Sequence, residues 1–377
     1  MQELVILKEL LPQLANLSTK LPFLKVMVGF DGYVDKIQQV VQKRSDIQVD
    51  YYQKIPHLAE KIHQAANKSC QLELVTHTLK LGGNAPIMAN ALAFLGIRNY
   101  CVGAMGEPKV EAIFSQTMHQ LVDIQSISSP AFTNALEFQD GKLILSELTN
   151  FQTLNWAKIK SVLSLSKIRS LVADSQLIAM VDWANLPHCD DIWCGILTEV
   201  APFVAEGKIY FFDLTDLAKK SDIEVDNVLK IIRGFGKFGE VILGLNENES
   251  EQLFHIVKRL NNNELVNESN LTAKGKYIYQ YLGIDYLLIH PLDRSIIFSK
   301  KESLELKGKL ITQPKISTGG GDNLNAGFCF AKLCEFNLAE CLMLGMATSG
   351  AYVANGQSPS LSELSKFINE WITELND

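Results

Sequence analysis

The sequence predicts an α/β fold: a three-layer core with a mainly parallel central sheet and a small β-rich lid. Three observations lead there. From about residue 155 helix-like and strand-like stretches alternate: helix 156–170, strand 177–181, helix 191–205, strand 209–213, helix 225–233, strand 241–245, helices 248–260 and 272–282, strand 286–290. Strands separated by helices imply right-handed crossovers and parallel pairing. Upstream, Lys25-Val26-Met27-Val28-Gly29-Phe30 is a short apolar run of the kind that forms a buried first strand. Finally, Asp140-Gly141 between extended runs (135–145) signals a hairpin outside the alternating region.

In chain order, Leu4 to Leu17 reads as an amphipathic helix within an N-terminal helical extension, 1–24. Residues 36–80 are mixed in character, with a helical stretch from Pro56 to Ala66, and parts of 36–80 and 125–150 supply the lid. Gly82-Gly83 precedes a helix, Ile87 to Leu95, that stops at Gly96. A strand (99–103) and a helix (110–122) follow. After the strand at 286–290 come a glycine turn at 319–321 and helices at 322–335, 338–354 and 361–374. No linker or repeat divides the chain, so 1–377 is expected to be one domain.

Composition narrows the function. Hydrophobic residues make up 47% and charged residues 20% of the 377, the balance of a globular chain. A net charge of −7 argues against nucleic acid as a partner. No apolar run approaches the roughly 18 residues that span a bilayer, and the N-terminus lacks signal-peptide character, so no membrane is expected. Seven scattered cysteines suit reduced thiols in the cytoplasm.

The chemistry concentrates after residue 316. Thr318-Gly319-Gly320-Gly321-Asp322 runs into an apolar helix, and a glycine turn at a helix start presents free amides and a positive dipole end to an anion. Asp322 there either caps the helix or takes a proton from a substrate hydroxyl. Asn246 and Glu249, after the strand 241–245, share one helix face; they either position Mg²⁺ or form a capping box. Asp31 and Asp35 follow the first strand, where open α/β sheets bind ligands. Gly234-Phe235-Gly236-Lys237-Phe238-Gly239 spells a dinucleotide pattern but precedes its strand, so it reads as a turn. His188, Cys189 and Cys194 lack a second ligand pair for zinc, and no P-loop is present.

Together these segments make the chain similar to the ribokinase/PfkB carbohydrate kinase superfamily, from Lys25 to the C-terminus and in the family's order. The signature Asp-Thr-x-Gly-Ala-Gly-Asp is matched by Ile316-Ser317-Thr318-Gly319-Gly320-Gly321-Asp322. The resemblance implies an anion hole at Gly319, Gly320 and Gly321, with Asp322 as catalytic base. Its Asn-x-x-Glu motif falls on Asn246 and Glu249, which implies Mg²⁺ positioned through water. The substrate loop falls on Gly82, Gly83 and Asn84, and the aspartate after the first strand on Asp35, with Asp31 nearby. The implied activity is transfer of a phosphoryl group from ATP to a hydroxyl of a sugar or nucleoside-like molecule. ADP stays open as donor, because Gly29 to Asp35 and Gly82 to Ala85 are also similar to the ADP-dependent sugar kinases. The resemblance leaves room for a homodimer.

Three positions depart from the pattern. Ile316 replaces the leading aspartate and offers K⁺ no side-chain oxygen, which argues against K⁺ activation; Ile87 stands where a sugar-binding amide is usual; His290-Pro291 ends the nucleotide-side strand in place of a Thr-x-Gly turn. Two rival readings remain beside the kinase: a silent sugar- or nucleotide-binding protein on the same fold, and a nicotinamide oxidoreductase resting only on 234–239.

Overall fold

Ile6, Leu7, Leu10 and Leu14 recur at helical spacing in α1 (Gln2–Ala15), and all four are buried. The computed structural model describes residues 2–262, 268–316 and 318–376, so Ser317 of the glycine signature lies outside the described residues. β1 (Lys25–Phe30) passes through Asp31 and Gly32 straight into β2 (Tyr33–Arg44), followed by β3 (Val49–Tyr51), α2 (Ile55–Gln64) and β4 (Leu74–Gly82). α3 (Asn84–Phe94), β5 (Arg98–Gly103), α4 (Ala112–Thr117) and β6 (Val122–Ser126) return the chain to the first strand's sheet. β7 (Ala131–Phe138) and β8 (Gly141–Glu147) form the hairpin expected at Asp140-Gly141.

The alternating half follows: α5 (Trp156–Leu163), α6 (Leu165–Asp174), β9 (Leu177–Met180), α7 (Cys189–Gly195), β10 (Lys208–Asp213), α8 (Asp222–Gly234), β11 (Gly239–Asn246), α9 (Glu247–Leu260), α10 (Leu271–Leu282) and β12 (Tyr286–His290). An antiparallel pair, β13 (Arg294–Ser299) and β14 (Ser303–Lys307), then precedes α11 (Gly320–Leu333), α12 (Leu338–Asn355) and α13 (Leu361–Asn376).

The large sheet runs β14-β13-β12-β11-β10-β9-β1-β5-β6, and every neighbouring pair from β12 to β6 is parallel. The chain begins at β1, moves outward to β5 and β6, then crosses back to β9 on the opposite flank. The strand order therefore reverses between β1 and β9, and a crevice opens beyond the carboxyl ends of those strands. A second sheet, β3-β2-β7-β8 with β4 also on β2, stands apart from the first.

Both faces of the large sheet are covered. Val26 and Val28 of β1 enter a core with α1, α3 and α11 to α13, whereas Met27 and Phe30 enter one with α5 to α10. Strands buried on both sides explain the unbroken apolar runs of the sequence. A small third cluster, Val40, Tyr52, Leu58 and Leu136, packs α2 onto the second sheet.

Several expectations need correction. The single helix expected over 156–170 breaks at Ser164, whose φ of 60° ends α5 and whose Oγ caps α6 by accepting the Lys167 amide. The helix expected over 110–122 shrinks to α4, because Val122 pairs with Asn99 in β6. The helix expected over 191–205 ends at Gly195 and loosens through a π turn and a 3-10 turn carrying Pro202. β13 and β14 were not expected, and neither was the length of β2. α1 is part of the first core, with Leu7 and Leu10 fully buried, and not a peripheral extension. Replacing Leu10 with Ala should therefore destabilise the whole chain by about 2–5 kcal/mol; an unfolding midpoint that stays at the wild-type value would show that α1 contributes nothing to the core.

Candidate active site

Gly82 and Gly83 have one evident reason to be glycine: each lies against an aspartate. A Cβ on Gly82 would fall 2.4 Å from Asp35 Oδ2, and one on Gly83 2.7 Å from Asp31 Oδ2, with Gly83 also at a φ of 99°. The two aspartates nevertheless differ. Asp31 is fully buried, and its oxygens accept the amides of Asn84 (2.7 Å) and Ala85 (2.8 Å) at the first turn of α3. That corrects its expected role as a hydroxyl binder, since no surface remains for a ligand; it fixes the start of α3. Asp35 is half-buried, opposite Lys80 on β4 and Thr133 on β7; burial raises its carboxyl, and the Thr133 side chain and Lys80 oppose that rise. Asn84, at the first turn of α3, is also half-buried.

On the far side of the crevice α11 opens with Gly319 at a φ of 85°. The amides of Gly320, Gly321 and Asp322 belong to the first turn and so have no preceding turn to bond. The loop is anchored on three sides. Tyr352 donates to the Thr318 carbonyl (2.9 Å), Asn323 Nδ2 donates to the Gly319 carbonyl (2.9 Å), and Ser358 holds Asn323 Oδ1 (2.8 Å). A Cβ on Gly319 would meet Tyr352 Oη at 2.8 Å and Ile87 Cγ2 at 3.4 Å, so Ile87 packs beneath the glycine turn. Asp322 lies half-buried at this turn.

Between these walls the sheet contributes acids that were not singled out from the sequence. Asp182 follows β9 and is fully buried, accepting from Tyr33 Oη (2.9 Å) and Asn185 Nδ2 (2.5 Å). Asp213 ends β10, accepting the Thr215 amide and Asn325 Nδ2, each at 3.0 Å. Asn246 and Glu249 do form a capping box: Asn246 Oδ1 accepts the Glu249 amide (2.9 Å) and Glu249 Oε2 accepts the Asn246 amide (2.8 Å). Glu249 is also only 7% exposed and close enough to Asp213 to feel its charge.

The carboxyls oppose one another. Burial, then Asp213, Asp31, Asp182 and Glu249, push Asp322 well above the usual carboxylate range. Burial first and Asp213 next raise Glu249 to about 8; burial raises Asp182 to about 7 and Asp213 to about 6. Burial and the Asp182 charge push Asp31 up against its two amide donors. Such a cluster suits a cation carried in on phosphates. Among the described residues no three acids, histidines or cysteines form a direct metal cage. The donors are hard oxygens, and Asn325 Oδ1, whose amide nitrogen bonds Asp213, is buried without a partner; that set fits Mg²⁺ held through water.

Beside Gly320 and Gly321 opens a cavity of about 350 Å³, walled by Leu310, Ile311, Met346 and Val353 and rimmed by His290 and Arg294. Burial lowers the His290 imidazole to about 4, so it is neutral, and its ring stands 3.4 Å from where a Gly321 Cβ would be. The misplaced glycine pattern behaves as a turn: Gly234 ends α8, and a Cβ on Gly239 would fall 1.9 Å from the Lys208 carbonyl oxygen. His188 bonds the Gln152 carbonyl and Cys189 is buried, so neither joins a metal centre.

A family description for prokaryotic ketohexokinase matches residues 11–371, nearly the whole chain. The chain belongs to the prokaryotic ketohexokinase family. A ketohexokinase of Haloferax volcanii is 26% identical over 354 residues, covering 92% of each chain. Among solved structures, adenosine kinase of Sinorhizobium meliloti superposes with a TM-score of 0.64 at 16% identity, covering 93% of this chain and 99% of that one. Ribokinase of Thermotoga maritima gives 0.61 at 14%, covering 92% and 99%. A ribokinase II from E. coli, solved with ATP and Mg²⁺, gives 0.64 at 12%, with the same coverage. The fold is thus ribokinase-like, and this family member is a carbohydrate kinase, a phosphotransferase acting on a sugar hydroxyl with ATP. No helix among the described residues is long and apolar enough to cross a membrane.

In this ketohexokinase-family chain the raised carboxyls also set a stability profile. Each holds its proton in the folded state at pH values where the unfolded chain, with carboxyls near 4, has released it, so their contribution is present at low pH and lost as pH rises through about 6 to 8. The ligand-free protein should lose Tm from about pH 4 to about pH 8, and Asp213→Asn should flatten the part below about pH 6; calorimetric scans with parallel slopes in both proteins would contradict it.

Proposed function

We propose that this chain phosphorylates a ketohexose with ATP, Asp322 taking the proton of the attacking hydroxyl. The observation that supports this most is the placement of Asp322: it is the acid at the start of α11, beside three N-terminal amides, with its carboxyl pushed upward by its neighbours. A carboxyl raised in this way is a better-matched base for an alcohol than an ordinary aspartate.

Asp35 and Asn84 would hold acceptor hydroxyls, with Gly82 and Gly83 letting the loop approach. Gly319, Gly320 and Gly321 would offer backbone donors to the transferring group, and a preorganised donor of this kind is worth about 3 kcal/mol in the transition state. The cavity beside Gly320 takes the nucleotide base and ribose against Leu310, Ile311, Met346 and Val353. Mg²⁺ on the phosphates, held through water by Asn246, Glu249 and Asp213, would supply charge neutralisation among the acids. Ile316 gives K⁺ no ligand. The second sheet, which carries Asp35, would exclude water as a lid. Seven free thiols support a cytoplasmic setting.

Because phosphoryl transfer depends mainly on alignment and electrostatics, loss of the base should lower kcat without loosening the nucleotide. Asp322→Asn is expected to reduce kcat by about 10²–10⁴ while ATP affinity holds. In the wild type the acid limb of kcat/KM should lie above the usual carboxylate range. Normal turnover by Asp322→Asn, or activity with ADP in place of ATP, would refute the assignment. Glu249→Gln should raise the Mg²⁺ concentration needed for half-maximal rate, and an unchanged metal titration would remove Glu249 from the site.

A further inference from the structure

Across the second sheet one polar row is aligned by strand register. Asp35 of β2 stands opposite Lys80 of β4 and opposite Thr133 of β7, and Thr133 stands opposite Ser146 of β8. Directly paired residues project from the same face, so these four side chains share one surface. On that same face the row nearer the junction is Tyr33, Gly82 and Ala131, and the row beyond is Ile37, Thr78, Ala135 and Ile144. The polar row is thus a single stripe between a buried row and a largely apolar one.

The stripe faces the crevice. Asp35 lies against Gly82 of the substrate loop. Tyr352, which bonds the Thr318 carbonyl beside the glycine turn, is close enough to both Asp322 and Asp35 to feel their charges. Thr133 is 5% exposed, and its Oγ1 lies 3.3 Å from Ser146 Oγ. A threonine hydroxyl has one proton. Thr133 stands opposite Asp35 in register and can turn that proton towards the carboxylate, leaving the more exposed Ser146 to donate to Thr133.

We infer that Thr133 is a positioning residue for the sugar: its hydroxyl, oriented by Ser146, fixes the rotamer of the Asp35 carboxylate and leaves one oxygen facing the acceptor. This rests on the reading of Asp35 as the carboxylate that holds acceptor hydroxyls. Lys80 on the other side opposes the burial that raises Asp35, so the row favours the ionised form of an acceptor at the edge of a buried region. None of the four lines the cavity beside Gly320, so the row acts on the acceptor and not on the donor.

The test compares KM for D-fructose and for ATP in the wild type, Asp35→Asn, Thr133→Val and Thr133→Ser. Thr133→Val keeps the β-branched shape and removes the hydroxyl; it should raise the D-fructose KM about tenfold, leaving the ATP KM unchanged and kcat less affected. Its acid limb in 1/KM for D-fructose should move to higher pH, because a donor that stabilised the charged Asp35 is gone. Thr133→Ser should restore both. If Asp35→Asn raises the D-fructose KM and Thr133→Val does not, the Thr133 inference alone falls. A Thr133→Val protein with lowered Tm and unchanged KM and pH profile also overturns it. If Asp35→Asn has no effect, or the wild type does not phosphorylate D-fructose, the parent reading fails and this one with it.

Discussion

The contact on which the rest of the crevice depends is the pair of hydrogen bonds from the first turn of α3 to Asp31. Asp31 leaves β1 at the point where the strand order reverses, and its two oxygens fix where α3 begins. With α3 fixed, Gly82 and Gly83 must pass close to Asp35 and Asp31, and Ile87 is delivered beneath Gly319. One buried carboxylate thereby sets the distance between the acceptor side and the phosphate side. A buried acid held by two backbone donors is stable where an unpaired one is costly.

The remaining acids are arranged in the opposite spirit. Asp182, Asp213, Glu249 and Asp322 are brought together from the ends of β9, β10 and β11 and from α11, with Lys219 opposing the rise of Asp182. Their mutual repulsion favours proton uptake, and on the proposed reading a phosphate-borne cation would relieve it once substrate is bound. On that reading the balancing positive charge would come from the nucleotide complex and the amides of α11. The crevice would then receive a ligand that carries its own metal.

Much of this was legible in the sequence, and the failures have physical causes. The parallel core was readable because strands buried on both faces leave unbroken apolar runs, and the helix starts because Gly82-Gly83 and Gly319 to Gly321 stand before them. β2 and β4 were not, since their exposed, mixed faces give no clean period, and β13 and β14 extend the sheet by an antiparallel hairpin that the alternation did not foreshadow. Asp182 and Asp213 look like any residue ending a strand; only the strand order brings them beside Asp322. Asp31 was misjudged for the same kind of reason, as sequence position puts it at the crevice but cannot tell a carboxylate that faces solvent from one that caps a distant helix. Ile87 looked like a lost amide, whereas its neighbours show a packing role under Gly319.

The second sheet joins the large one at few places: through Asp31-Gly32, through Gly83, through residues 127–130 and just after Glu147. Between those crossings lie two stretches, 33–82 and 131–147, which carry Asp35, Lys80, Thr133 and Ser146 but none of α11, β9, β10 or β11. On the proposed reading, the part of the acceptor site that carries Asp35 and Thr133 could be exchanged as a cassette, while Asn84 and the elements that move the phosphoryl group stay in place. Relatives with other acceptors could be built on such a division by replacing two segments and keeping the glycines at their borders.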